Sequence, residues 1–238
     1  MSKYKYCPWP LGALPKEFQR PEPEKLRELG YQWDDPRDIV DIFERKVADY
    51  WGAKYAVSVD CCSHAIFLSL MYSRRGNLIQ KGSKITIPKH TYVSVPMQII
   101  HAGMKVKFKD IKWMGYYELF PTRVIDAAVM WEEGGYIPNT LMCLSFQIKK
   151  AIPTGKGGII LTDDEYAAKT LRLMAYDGRD LTTPYDSEDH VRVLGYHMYM
   201  TPEDAARSII LMDQVGDMGS YMGSENYPDV SEMLKNII

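Results

Sequence analysis

Apolar positions along this chain follow the two-residue period of a strand in some stretches and the 3.6-residue period of a helix in others, and the switches between them outline alternating elements. Tyr55–Val59 (YAVSV) is a short β-branched run, and residues 65–71 after it suit a buried helix. Residues 84–87 form the next strand, 92–101 a helix closed by Gly103, and 106–108 a third strand. Further strands end at Asp126, span residues 141–146 and begin over residues 158–161. A helix over residues 163–174 follows, with carboxylates at the end where the helix dipole favours them. Repeated strand and helix units predict an α/β fold with a mostly parallel central sheet flanked by helices.

Outside that core the pattern changes. Residues 38–51, DIVDIFERKVADYW, have the spacing of an amphipathic helix, whereas residues 8–24 are proline-rich and predict an extended arm. Residues 175–192 turn polar and charged, as a mobile loop would. Thr201 then caps a helix with Pro202 at its first position, and residues 227–238 predict one more short helix. The chain divides into an N-terminal arm (1–37), an α/β domain (38–180), and a loop with a much reduced C-terminal helical segment (181–238).

Composition narrows the classes. With 238 residues, 46% of them hydrophobic, the chain can bury a full core in one α/β domain. Lys plus Arg at 29 against Asp plus Glu at 31 leaves a formal net charge of -2, which argues against a nucleic-acid surface. The four cysteines, Cys7, Cys61, Cys62 and Cys143, lack metal-ligand spacing and form a poor disulfide framework, as expected of a reducing compartment. The first residues lack an apolar signal core and no apolar run approaches membrane-spanning length, so a soluble cytoplasmic protein without a membrane partner is expected.

Candidate chemistry concentrates in CLSFQIKKAIPTGKGG, residues 143–158, where Ser145, two lysines and a glycine turn lie between two apolar runs. Lys149 and Lys150 fall in a connection between strands, where a fold presents side chains to a site; taken alone, two loop lysines are usually solvated charges. The order Ser145, Lys150, then Gly155, Gly157 and Gly158 resembles the cofactor-lysine segment of the DegT/DnrJ/StrS sugar aminotransferases, S-F-x-x-x-K-x-x-x-x-G-x-G-G. That spacing selects Lys150 over Lys149.

The resemblance implies a fold-type I architecture and pyridoxal 5'-phosphate (PLP) held covalently on Lys150, and four further segments follow in the family's order. Cys61-Cys62-Ser63-His64-Ala65-Ile66 stands where the family carries S-G-T-x-A-L. A strand-to-helix turn there aims backbone N–H groups at a phosphate, Ser63 adds a hydroxyl, and Cys62 replaces the glycine. Thr91-Tyr92 matches the family's T-F or T-Y pair, which implies that Tyr92 lies over the cofactor ring. Val124-Ile125-Asp126-Ala127-Ala128 resembles E-D-A-A-Q or a close variant, with Val129 in place of the usual glutamine or histidine. A carboxylate at the end of an apolar strand is costly to bury unless it meets a cation, and Asp126 is implied to keep the pyridine nitrogen protonated. Finally, Gly195-Tyr196-His197-Met198-Tyr199-Met200-Thr201 resembles G-Y-N-Y-R-M-S, which puts His197 where the family's asparagine reaches the phosphate of the neighbouring subunit. Ser63 and Ser145 are implied to hold the same phosphate.

The expectation is therefore a PLP-dependent aminotransferase with Lys150 and Asp126 as its catalytic pair. It would carry an amino group from glutamate to a keto sugar on a nucleotide, at sites shared across a homodimer. The stretch from Asp110 to Val124 is too short for the strand, helix and strand that family members insert, which marks a shortened member. A second possibility is a non-catalytic relative that binds a cofactor or partner through the same scaffold.

Overall fold

The computed structural model describes residues 2–4, 14–215 and 222–237; Cys7, residues 8–13 of the expected arm and Ile238 lie outside them. Where the prolines predict an extended arm, the described part holds a 3-10 turn at Lys16–Phe18 and helix α1 (Glu22–Glu28). Pro23 falls in the first turn of α1, where a missing N–H removes no hydrogen bond, and Leu26 anchors the helix in the core. Helix α2 (Asp38–Trp51) turns Ile39, Phe43, Val47 and Trp51 inward and stops at Gly52, whose φ of 73° is open to glycine at little cost.

Strand β1 (Tyr55–Val59) leads into helix α3 (Cys62–Arg75), then β2 (Lys84–Pro88), α4 (Ser94–His101) and β3 (Lys105–Lys109). A tight hairpin of β4 (Tyr117–Glu118) and β5 (Val124–Asp126) follows, and then β6 (Leu141–Ser145), β7 (Gly158–Thr162) and α5 (Glu165–Ala175). After an irregular stretch come α6 (Pro202–Val215) and the short α7 (Val230–Leu234). The Thr201 hydroxyl accepts from the Asp204 N–H at 3.2 Å, a cap at the place the sequence predicts. Among the described residues, no helix is long and apolar enough to cross a membrane.

The main sheet runs β1-β7-β6-β5-β4, and β2 and β3 form a two-stranded parallel sheet beside it. Paired N–H···O bonds between Thr86 and Phe120, at 2.7 and 3.1 Å, join the two. The α/β class matches the expectation, but the parallel majority does not: β1–β7, β7–β6 and β4–β5 are antiparallel, and only β5–β6 and β2–β3 run parallel. At β4–β5 the cause is connection length: a parallel return needs a crossover of about a dozen or more residues, whereas β4 passes to β5 through a turn closed by Leu119 N–H to Val124 O at 2.9 Å. Strand β7 turns back along β6 because the loop between them closes on itself, with Phe146 N–H to Gly157 O at 3.0 Å and Gly155 N–H to Phe146 O at 3.3 Å.

Both faces of the main sheet are covered, so its strands alternate between two cores. Val57, Val59, Val124, Cys143 and Ile160 face α3, α4 and α5. Ala56, Ile125, Met142, Leu144, Ile159 and Leu161 face α1, α2 and α6. A buried carboxylate ties the layers: Glu44 of α2 accepts from the Ser58 N–H at 2.7 Å and its hydroxyl at 2.9 Å, and pairs with Arg172 of α5.

A close backbone approach lies where β7 begins. A Cβ on Gly158 would stand 2.4 Å from both the Cys61 carbonyl carbon and the Cys62 nitrogen, so only glycine lets β7 pass the β1–α3 turn. Replacing Gly158→Ala should destabilise the protein by about 1–3 kcal/mol or more, the usual range for overpacking. Urea unfolding is the check; an unchanged midpoint would show that the turn yields at no cost.

Candidate active site

Three strand ends and one loop converge on a cleft of about 490 Å³. Its lining includes Cys62, Ser63, Tyr92, Asp126, Ser145 and Lys150, which the sequence picks out from segments far apart in the chain. His197 lies elsewhere. Its side chain is 70% exposed and its Nδ1 is 3.0 Å from the Asp177 carboxylate, outside the cleft of its own chain.

At the floor of the cleft, β5 ends in Asp126, which is only 6% exposed. Its Oδ2 accepts from the Tyr117 hydroxyl at 2.5 Å and its Oδ1 from the Ala128 N–H at 3.0 Å. Burial pushes the Asp126 carboxyl above the usual carboxylate range, while these two donors and Lys150 pull it back. Lys150 sits in the β6–β7 loop, where its N–H donates to Gln147 O at 2.8 Å. Burial lowers the basicity of its amine, against the opposing pull of Cys62 and Asp126. A lysine so placed is easier to deprotonate, and a neutral amine is the form that attacks a carbonyl carbon.

One wall is the N-terminus of α3. Cys61 holds the N-cap position in extended conformation and no side chain caps the helix, which leaves first-turn N–H groups for an anion. Ser63 shares a 2.7 Å hydrogen bond with Ser94. Ser145 lies across the cleft at the end of β6. Tyr92, 59% exposed, stands at the rim just before α4. The opposite wall is aromatic: Trp113 packs on Tyr117 at 4.9 Å between ring centroids and on Tyr227 at 5.7 Å.

At the mouth, Asp60 bridges two cations, with His64 Nδ1 at 2.5 Å and Lys156 Nζ at 3.0 Å. The hydrogen bond to Asp60 pushes His64 up to about 9, so it is charged at neutral pH. Tyr117, Trp113, Tyr227, His64 and Lys156 were not among the residues singled out from sequence. Lys156 carries a readable signal, lying between Gly155 and Gly157 of the motif; Tyr117 carries none, because only the hairpin brings it to Asp126.

Residues 28–128 and 134–220 match the sequence model of the DegT/DnrJ/EryC1/StrS aminotransferase family. The spore coat polysaccharide biosynthesis protein SpsC of Bacillus subtilis (strain 168) is 25% identical over 263 residues, covering 90% of this chain and 65% of that protein. Sugar aminotransferase CalS13 from Micromonospora echinospora has a TM-score of 0.66 at 15% identity, over 82% of this chain and 64% of that one. 3-Amino-5-hydroxybenzoic acid synthase has a TM-score of 0.63 at 19% identity, over 86% and 63%. The structural likenesses establish a fold shared with these proteins, and the chain spans under two thirds of their lengths.

The pair at the mouth has a measurable consequence. Because the folded-state value of His64 lies above its ordinary 6.5, its contribution to stability is fully present below about pH 6.5 and is lost as pH rises through about 9. Imidazole NMR should show a midpoint near 9 that falls toward 6.5 in Asp60→Asn. A midpoint of 6.5 in the unaltered protein would refute the charged pair.

Proposed function

Because the chain belongs to the DegT/DnrJ/EryC1/StrS aminotransferase family, we propose that it binds PLP at this cleft and transfers an amino group from glutamate to a keto sugar carried on a nucleotide. The observation that carries the reading is the placement of Lys150, its amine made less basic by burial, in one cleft with the buried carboxylate of Asp126.

The residues suit the cofactor. A buried carboxylate raised by desolvation calls for a cationic partner, which a protonated pyridine nitrogen supplies to Asp126. The open N-terminus of α3, with Ser63, suits a phosphate, and Ser145 stands within the same cleft. Tyr92 at the rim would cover the ring. When bound, PLP supplies an electron sink for charge that develops at the substrate carbon. Lys150 anchors the cofactor and, once its amine is free, moves the proton at that carbon, while Asp126 holds the proton at the ring nitrogen. His197, exposed and outside its own cleft, is proposed to reach the phosphate in a second copy, so that the working unit is a homodimer.

A second reading keeps the cofactor without turnover. Cys62 stands where relatives place glycine in the phosphate turn, and the buried Val129 offers no polar contact where they carry glutamine.

Borohydride reduction with PLP, followed by peptide mass mapping, should label Lys150. Lys150→Ala should lose the label and reduce amino transfer by about 100- to 10,000-fold, the range for a positioned acid–base group. A label on Lys149, or none at saturating PLP, would overturn the assignment. Added glutamate should change the absorbance of the bound cofactor, and a keto sugar nucleotide should reverse it; labelled protein with no such change would establish the second reading.

A further inference from the structure

We infer that Tyr117 and Thr91 are positioning residues that keep Asp126 ionised, through a one-directional hydrogen-bond chain built by the β4–β5 hairpin. The inference rests on Asp126 being the group that faces the pyridine nitrogen.

Tyr117 and Asp126 are register partners in antiparallel β4 and β5, so their side chains emerge on one face at the close spacing of a cross-strand pair. The Tyr117 hydroxyl lies 2.5 Å from Asp126 Oδ2, and the Thr91 hydroxyl, from the β2–α4 connection, hydrogen-bonds the same phenol oxygen. Thr91, Tyr117 and Asp126 are 1%, 6% and 6% exposed, so water does not substitute for any member. An ionised carboxylate only accepts, which makes Tyr117 the donor to Asp126. The phenol oxygen can then accept only, so Thr91 donates to Tyr117. Both protons point toward the carboxylate, and the chain stabilises its negative form.

Other groups around Asp126 do not substitute for this chain. Lys150, in the β6–β7 loop, is the nearby cation, but burial weakens its hold on a proton. Cys62 of α3, Cys143 of β6 and Tyr227 stay neutral, each pushed up first by burial and further by the Asp126 charge. Apart from the Ala128 N–H, which binds the other oxygen, Tyr117 is the one donor among the described residues that reaches Asp126 by a hydrogen bond. Burial alone favours the neutral acid, and a neutral acid cannot hold a pyridinium proton by charge.

The test begins in the cofactor-free protein. Infrared difference spectra of carboxyl-labelled protein across a pH series report when Asp126 protonates, assigned with Asp126→Asn. Tyr117→Phe keeps the ring against Trp113 and removes only the hydroxyl; it should raise the Asp126 midpoint by about one to two pH units, the equivalent of one charge-assisted hydrogen bond. Thr91→Val should raise it by a smaller amount and Thr91→Ser should leave it in place. With PLP, Tyr117→Phe should move the pH midpoint of the cofactor absorbance and weaken binding by roughly tenfold or more. An unmoved Asp126 midpoint in Tyr117→Phe, or equal shifts in all three variants, would overturn the inference. Failure of the unaltered protein to take up PLP would instead overturn the proposed function, while the cofactor-free titration still decides the role of Tyr117.

Discussion

The site depends on one backbone contact. Gly158 is the register partner of Val59 on β1 and of Ser145 on β6, and its α-carbon lies against the peptide between Cys61 and Cys62. Through that single residue, the end of β6, the start of β7 and the N-terminus of α3 share a fixed frame. The loop that carries Lys150 leaves and re-enters the sheet at this point, and it is closed by Phe146 N–H to Gly157 O at 3.0 Å and Gly155 N–H to Phe146 O at 3.3 Å. Phe146, fully buried against Phe43, keeps the loop's root from moving. The root of the loop that carries Lys150 is thus held beside the β1–α3 turn by packing in the sheet.

Within that frame, burial and charge work in opposition. Desolvation alone would neutralise both Asp126 and Lys150, since each is driven by its surroundings toward its uncharged form. The two groups differ in what opposes this. Asp126 has a hydrogen-bond donor on each oxygen, whereas Lys150 has only the more distant pull of Asp126 and Cys62. The result is an anion held in place beside a lysine whose proton is loosely held. The same contrast separates this pair from Glu44 and Arg172, which meet directly and serve to join layers.

Most of the elements are legible in the sequence because their periodicity and caps are local. The 38–51 helix matches α2 end for end, and YAVSV is β1. The site residues near strand ends are legible through the spacing of the lysine and glycine segment and the Asp126 segment. The direction of the strands is not, because period-two runs look alike whichever way they pair; the antiparallel β4 follows from a turn too short to cross over, and β7 from a loop that folds back on its own root. Tyr117 is invisible for a related reason. Its partner is chosen by a hairpin register that begins at a turn, and no local pattern announces which residue will face Asp126. His197 illustrates a third limit, since in a single chain it does not line the cleft that its motif associates it with.

The same strand order carries a cost during synthesis. Strand β1 stands at the sheet edge with β7 as its neighbour, so residues 55–59 have no partner until residues 158–162 exist, and the inner face of α2 waits longer still for α6. A chain emerging from the ribosome therefore carries Phe43 and Trp51 uncovered until their ring partners Phe146 and Trp131 have been made. Long-range pairing of this kind slows folding and leaves apolar surface open to wrong partners in the meantime. The contact at Gly158 that fixes the cleft likewise waits until all of β2 to β6 has been made.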